Sequence, residues 1–269
     1  MQQSIQQTSL AIVAATASDD AAAVDMARRL DLPLLPTATD PQYCDHVAAV
    51  LWVEGLQLCL QQVGKGAPGP VAAEFGSAAM RHRRRAGSNE LLGRAVGVGK
   101  KSPLQVLDAT AGLGRDGFVL ADLGCDVTLC EREPVVQELL RAGIAAASAQ
   151  DDPWLAGVMQ RLRLSTGDTR QTKPGELVGT DVIYLDPMFP QRDKSAAVKK
   201  EMALLQRLLD GVADGQDADA LLLWAIQQDV ARVVVKRPAR APNLAQQAPS
   251  HCISGKAVRY DVYVRHKLI

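Results

Sequence analysis

Residues 104–117, Leu-Gln-Val-Leu-Asp-Ala-Thr-Ala-Gly-Leu-Gly-Arg-Asp-Gly, decide the fold. A short apolar run at 104–107 ends in Asp108, and a glycine-studded turn leads into an apolar helical pattern at 114–123. Gly112, Gly114 and Gly117 let the backbone turn sharply and approach a ligand, and the helix start offers amides with no partner inside the helix. Downstream the pattern repeats. A second strand is predicted at 126–130, and Pro134 opens a helix that runs to about residue 149. A third strand is expected at 162–165, a nearly all-apolar fourth at 181–185 and a helix at 195–209. Residues 218–230 suit strand or buried helix; helix is preferred, because 232–236 makes the better fifth strand. The tail, 251–254 and 258–264, has the form of a closing antiparallel hairpin. Alternating strands and helices imply an α/β fold with a mostly parallel sheet, whose ligands sit at the carboxyl ends of the strands.

Upstream, a β-type run at 9–15 precedes a helix capped by Asp19 or Asp20 and ending near Leu30. Two strands, 48–53 and 56–63, meet at the Glu54-Gly55 turn, and a further strand is expected at 71–75. The expected organisation is a small α/β domain over 1–80, a basic linker or helix over 81–102, and a large domain over 103–269.

Aromatics make up only 4% of the 269 residues, so the core must be built mostly from Ala, Val, Leu and Ile. The five cysteines form no Cys-x-x-Cys pair, and Cys125 and Cys130, flanking the second strand, are expected to be buried thiols. His82, His251 and His266 lack metal-ligand spacing, so no metal is expected. No signal segment or membrane-length apolar run is evident, which points to a cytoplasmic protein. Net charge is zero but unevenly spread: residues 81–101 hold seven Lys or Arg against Glu90 alone. Arg192, Lys194, Lys199 and Lys200 form a second basic group, and Arg232, Lys236, Arg237 and Arg240 a third. Such patches serve a polyanion-binding protein. The run Arg81, Arg83, Arg84, Arg85 fits RNA contact or a solvated helix face, and Lys194, Lys199 and Lys200 are candidates for phosphate contact.

Several residues carry chemistry. Gly112, Gly114 and Gly117 satisfy Gly-x-Gly-x-x-Gly, and Glu131 ends the second strand, where a carboxylate can take both ribose hydroxyls of an adenosine. That pair fits NAD and S-adenosylmethionine equally. Asp168 either holds an adenine amino group or caps the turn Thr166-Gly167-Asp168. The choice falls on Asp186-Pro187-Met188-Phe189-Pro190 after the fourth strand, which resembles the Asp/Asn-Pro-Pro-Tyr/Phe motif of amino-methyltransferases. An exocyclic amine is a weak nucleophile, because its lone pair is delocalised into the ring. Asp186 and the Pro187 carbonyl can accept its two hydrogens, and Phe189 can stack on the base, so catalysis is mostly positioning.

Residues 108–121, Glu131-Arg132-x-Pro134, and 184–190 followed by Lys194-Ser195 and 198–202 resemble the ribosomal RNA small subunit methyltransferase J family. So do 233–238 and Phe75-Gly76-Ser77 with the adjacent arginines. The resemblance is dense from Asp108 to Met202 and faint before Val50. It implies a class I methyltransferase, Rossmann-like, that uses S-adenosyl-L-methionine to modify N2 of one guanosine near the 3′ end of small-subunit rRNA. The implied partner is that RNA, free or within the 30S particle. Asp108, Gly112, Gly114, Arg115, Asp116, Glu131, Arg132, Gly167, Asp168 and Asp186 would line the cofactor site, although the family often carries small hydroxyl residues at the positions of Gly167-Asp168. An NAD-dependent oxidoreductase, a DNA amino-methyltransferase and a non-enzymatic RNA-binding assembly factor are the rivals. The first leaves Asp186 to Phe189 without a purpose.

Overall fold

A computed structural model describes residues 10–44, 46–85, 90–187 and 215–268, with backbone alone at 79, 83, 85, 90, 215 and 216. The expected helix at 195–209 lies outside the described residues. The chain divides into two units. The first gathers the described residues up to Ala73 with Glu138–Ala146, and the second the remainder.

In the first unit, β1 (Leu10–Ala14) pairs parallel with β2 (Ala49–Glu54), which pairs antiparallel with β3 (Gln57–Gln62). The hairpin closes at Gly55, whose φ of +57° is the left-handed conformation glycine adopts without strain. All five β1 side chains are buried, and α1 (Asp20–Leu30) packs on β1. Val71 forms one isolated bridge with Leu60, and no strand is present over 71–75. Gly69-Pro70 precedes that bridge, and a proline nitrogen cannot donate to a sheet ladder.

The second unit begins with α2 (Ala78–Arg85) and α3 (Glu90–Val96). Its sheet has the order β6-β5-β4-β7-β8-β10-β9. These strands are β4 (Gln105–Asp108), β5 (Asp126–Glu131), β6 (Leu162–Thr166), β7 (Val182–Leu185), β8 (Arg232–Pro238), β9 (His251–Ser254) and β10 (Val258–Val264). The pairings from β6 to β8 are parallel, and β10 runs antiparallel between β8 and β9, so the expected closing hairpin is present. The unit's further helices are α4 (Arg115–Asp122), α6 (Pro153–Met159) and α7 (Gly215–Ala225), while most of α5 (Pro134–Ser148) belongs to the first unit. Residues 218–225 are therefore helix, and β8 is the fifth strand, as the patterning favours. No described helix is long and apolar enough to cross a membrane.

Register decides what each face carries. Asp108 pairs with Tyr184, and Tyr184 with Val234. Because strand side chains alternate, Asp108, Tyr184, Asp186 and Lys236 share one face. Leu107, Ile183, Leu185, Val233 and Val235 point to the other and pack with Leu222 and Trp224 of α7. Burial of β7 on both faces explains why its four residues are apolar apart from one hydroxyl. Cys125 and Cys130 are buried free thiols.

Within the first unit, a Cβ added to Gly143 of α5 would lie 2.2 Å from the Ala73 carbonyl oxygen. Gly143→Ala gains up to about 1 kcal/mol of helix propensity but must displace backbone, and overpacking costs about 1–3 kcal/mol. We expect a lower melting temperature for Gly143→Ala, measured by calorimetry.

Candidate active site

The turn between β4 and α4 holds the first cluster. Gly112 and Gly114 have φ of +52° and +73°, and α4 starts directly after Gly114. Gly117 has a different reason to be glycine: a Cβ there would come within 2.2 Å of the buried Leu129 Cδ2 on β5. Its absence lets α4 lie close enough to the sheet for Asp116, in the first turn, to reach the strand ends. Asp108 is 2% exposed, and its Oδ1 accepts the Thr110 amide at 3.2 Å. Burial, then the neighbouring Asp116 carboxylate, pushes the Asp108 carboxyl up to about 8.

Glu131, at the end of β5, is fixed by backbone amides. Gly112 N–H donates to its Oε2 at 2.8 Å, and the amides of Arg132 and Glu133 donate to its Oε1 at 2.8 and 2.9 Å. The Gln137 amide group and the Gly167 N–H both donate to its carbonyl. The sequence-predicted Gly112, Glu131, Arg132 and Gly167 thus stand together. Asp168 caps the following 3-10 turn, accepting the Arg170 amide at 3.0 Å, and forms a two-oxygen ion pair with the Arg170 side chain. That pair holds the Asp168 carboxyl below its ordinary range. Of the two expectations for this residue, the turn cap is the one visible. Arg170 and Arg132 both reach Asp217 in the first turn of α7.

The second cluster joins β8, α4 and the end of β7 with the glycine turn. Lys236 on β8 donates to Asp116 Oδ2 at 2.6 Å and to Asp186 Oδ2 at 2.7 Å. Tyr184, fully buried, donates its hydroxyl to the same Asp116 Oδ2 at 2.7 Å. The Asp186 amide donates to Thr110 Oγ1 at 2.7 Å, tying the end of β7 to the glycine turn. Burial raises the Asp186 carboxyl while Lys236 pulls it down, and burial is the larger cause. Pro187 is buried next to it. Phe189, Lys194, Lys199 and Lys200 lie outside the described residues.

Sequence reasoning placed Lys236 in a surface basic group, and the structure corrects this. Arg232 and Arg237 are each 4% exposed, and they donate to the carbonyls of Ala95 and Pro242. Lys236 points into the carboxylate cluster. Tyr184 and Thr110 were likewise unassigned. Of the expected RNA-contact arginines, Arg81 pairs with Asp152 and Arg84 with Asp122 at 3.0 Å, and both guanidinium groups lie over the Trp154 ring. Arg83 and Arg85 have no described side chains. Arg115 opens α4 on the turn after Gly114. Among the described residues no group of three or more His, Cys, Asp or Glu could hold a metal.

The raised carboxyl of Asp108 gives a pH prediction with a definite sign. A carboxyl near 3.8 when unfolded and near 8 when folded favours the native state at low pH. That contribution is lost as pH rises from about 4 to about 8. Asp108→Asn should remove this part of the slope, which denaturant titrations across that range will measure; an unchanged slope contradicts the assignment.

Residues 37–265 match the family described as "Putative SAM-dependent methyltransferase". The chain is 44% identical over 261 residues to ribosomal RNA small subunit methyltransferase J of Marinobacter nauticus, covering 94% of this chain and 91% of that one. The protein of the same name from Cellvibrio japonicus is 44% identical over 96% of this chain and 99% of its own length. A solved SAM-dependent methyltransferase from Neisseria gonorrhoeae is similar with a TM-score of 0.69 at 34% identity, over 96% and 97% of the two chains. With this sheet order, this glycine turn and this similarity along nearly its whole length, the chain belongs to the S-adenosylmethionine-dependent methyltransferase family that includes the ribosomal RNA small subunit methyltransferase J proteins.

Proposed function

We propose that the chain methylates the exocyclic N2 of a guanosine in small-subunit ribosomal RNA. The observation that carries the reading is the placement of Asp186-Pro187, directly after the central strand β7 and tied to the glycine turn by the hydrogen bond from the Asp186 amide to Thr110. Support for the RNA comes from the relatives' names, and support for guanine N2 from the family resemblance that is dense from Asp108 to Met202.

The residues fit the cofactor. Beside Gly112 a Cβ would meet only the Thr110 carbonyl oxygen, at 4.0 Å, and beside Gly167 nothing within 4 Å. Open space therefore flanks the Glu131 carboxylate at the carboxyl ends of β4 and β6. Glu131 would hold the ribose hydroxyls, the turn from Gly112 to Gly114 would cradle the adjoining backbone-facing edge, and Arg115, Asp116 and Arg132 complete the wall. When bound, S-adenosylmethionine supplies a methyl group on a sulfonium, which leaves as a neutral thioether and needs no acid.

The chain's own part is to prepare the amine. Asp186 Oδ2 is occupied by Lys236, and among the described residues Oδ1 takes no hydrogen bond. Oδ1 is thus the acceptor for one amine hydrogen, and the Pro187 carbonyl is the acceptor for the other. With both hydrogens directed, the nitrogen lone pair turns out of the ring plane toward the methyl group. Asp186 also takes the proton shed after transfer, or passes it to water. A base paired inside a helix cannot present this edge, so the guanine must be extruded.

Mass mapping of methylated guanosines in small-subunit rRNA tests the assignment. Cells lacking the protein should lose one N2-methylguanosine, restored by the wild-type chain and not by Asp186→Ala. In vitro, Asp186→Ala should cost about 100-fold or more in transfer. Full methylation without the protein, or near-wild-type transfer by Asp186→Ala, contradicts the reading.

A further inference from the structure

We infer that Lys236 is a positioning residue for the transfer step: by bridging Asp116 and Asp186 through one oxygen of each, it fixes the Asp186 carboxylate with its other oxygen turned to the substrate amine. The inference rests on the proposed function and extends it to a residue on a different strand.

Lys236 lies on an internal strand of the sheet, between β7 and β10. Lys236 Nζ lies 2.6 Å from Asp116 Oδ2 and 2.7 Å from Asp186 Oδ2, and only 25% of its side chain is exposed. A lone carboxylate this close to other acids would accept a proton rather than stay charged. The groups facing Asp186 are Asp108 from β4, Asp116 from α4, Tyr184 from β7 and Lys236 from β8. Two are carboxyls, Tyr184 is a neutral phenol, and among the described residues Lys236 is the one cation of the group. Tyr184 and Lys236 share Asp116 Oδ2, so Asp116 serves as the fixed post against which the ammonium is held. The backbone supplies the remaining constraint, because the Asp186 amide is anchored on Thr110 Oγ1. With its amide and one carboxylate oxygen fixed, Asp186 has few orientations left for the other.

An ammonium with this role has a signature that a purely structural one lacks. An amine acceptor must be ionised, so activity falls as pH drops through the Asp186 titration. Removing the cation lets burial and the neighbouring acids raise that titration further. The acid limb of the kcat profile should therefore move upward.

The test compares Lys236→Met and Lys236→Arg with the wild-type chain on small-subunit RNA. Melting curves establish that each variant is folded. Lys236→Met is expected to lower kcat about tenfold or more at neutral pH and to move its acid limb up by about one pH unit or more. Lys236→Arg, which keeps the charge, should retain the acid limb. A titration of the Asp186 carboxyl carbon by NMR, in labelled protein without RNA, should show the same upward shift in Lys236→Met; should that variant not fold, Lys236→Gln is titrated instead. No transfer by the wild-type chain overturns the function and this role with it. Transfer by the wild-type chain, with an unmoved acid limb and an unmoved Asp186 titration in the variant, overturns the role of Lys236 alone.

Discussion

One ammonium shared by two carboxylates holds the strand ends of the second unit together. Lys236 reaches Asp116 from β8 to α4 and Asp186 from β8 to the end of β7. Carrying the Asp116 charge out of water is costly, whereas the Asp186 side chain is 37% exposed and Lys236 mainly fixes its direction. The cost is spread over further contacts. Tyr184 gives Asp116 a second donor, and Thr110 takes the Asp186 amide. The same contacts that satisfy the buried charges also fix the direction of the one carboxylate the chemistry needs.

This cluster depends on the register of the sheet. The pairings of Asp108 with Tyr184 and of Tyr184 with Val234 put four polar side chains on the face that α4 covers. A slip of one residue on β8 would carry Lys236 to the α7 face, among Trp224 and Leu222. Gly117 sets the closeness of α4, and through it the reach of Asp116. Packing of apolar residues on the α7 face and charge pairing on the α4 face therefore specify the same alignment.

Much of this was legible in the sequence, and the failures have physical causes. Strands β7 and β8 announced themselves, because a doubly covered parallel strand is a short apolar run between polar turns. Helices α3 and α6, seven residues each, carried too few turns for a periodic signal, although Asp152-Pro153 is a good start signal and Asp152 caps α6. Glu131 and Asp186 could be found from their place after a strand. Lys236 could not, since its partners lie 120 and 50 residues away and only strand register brings them together. Arg232 and Arg237 misled for the same reason: charges clustered in sequence point to alternate faces of a strand, and both are buried.

A crystal structure of the chain with the product thioether, S-adenosylhomocysteine, and a guanosine-bearing RNA fragment bears most directly on this account. It should show the guanine amino group within hydrogen-bond distance of Asp186 Oδ1, with Lys236 still on Oδ2 and the ribose hydroxyls of the thioether on Glu131. A guanine bound elsewhere, or an Asp186 carboxylate directed away from both base and sulfur, would contradict it.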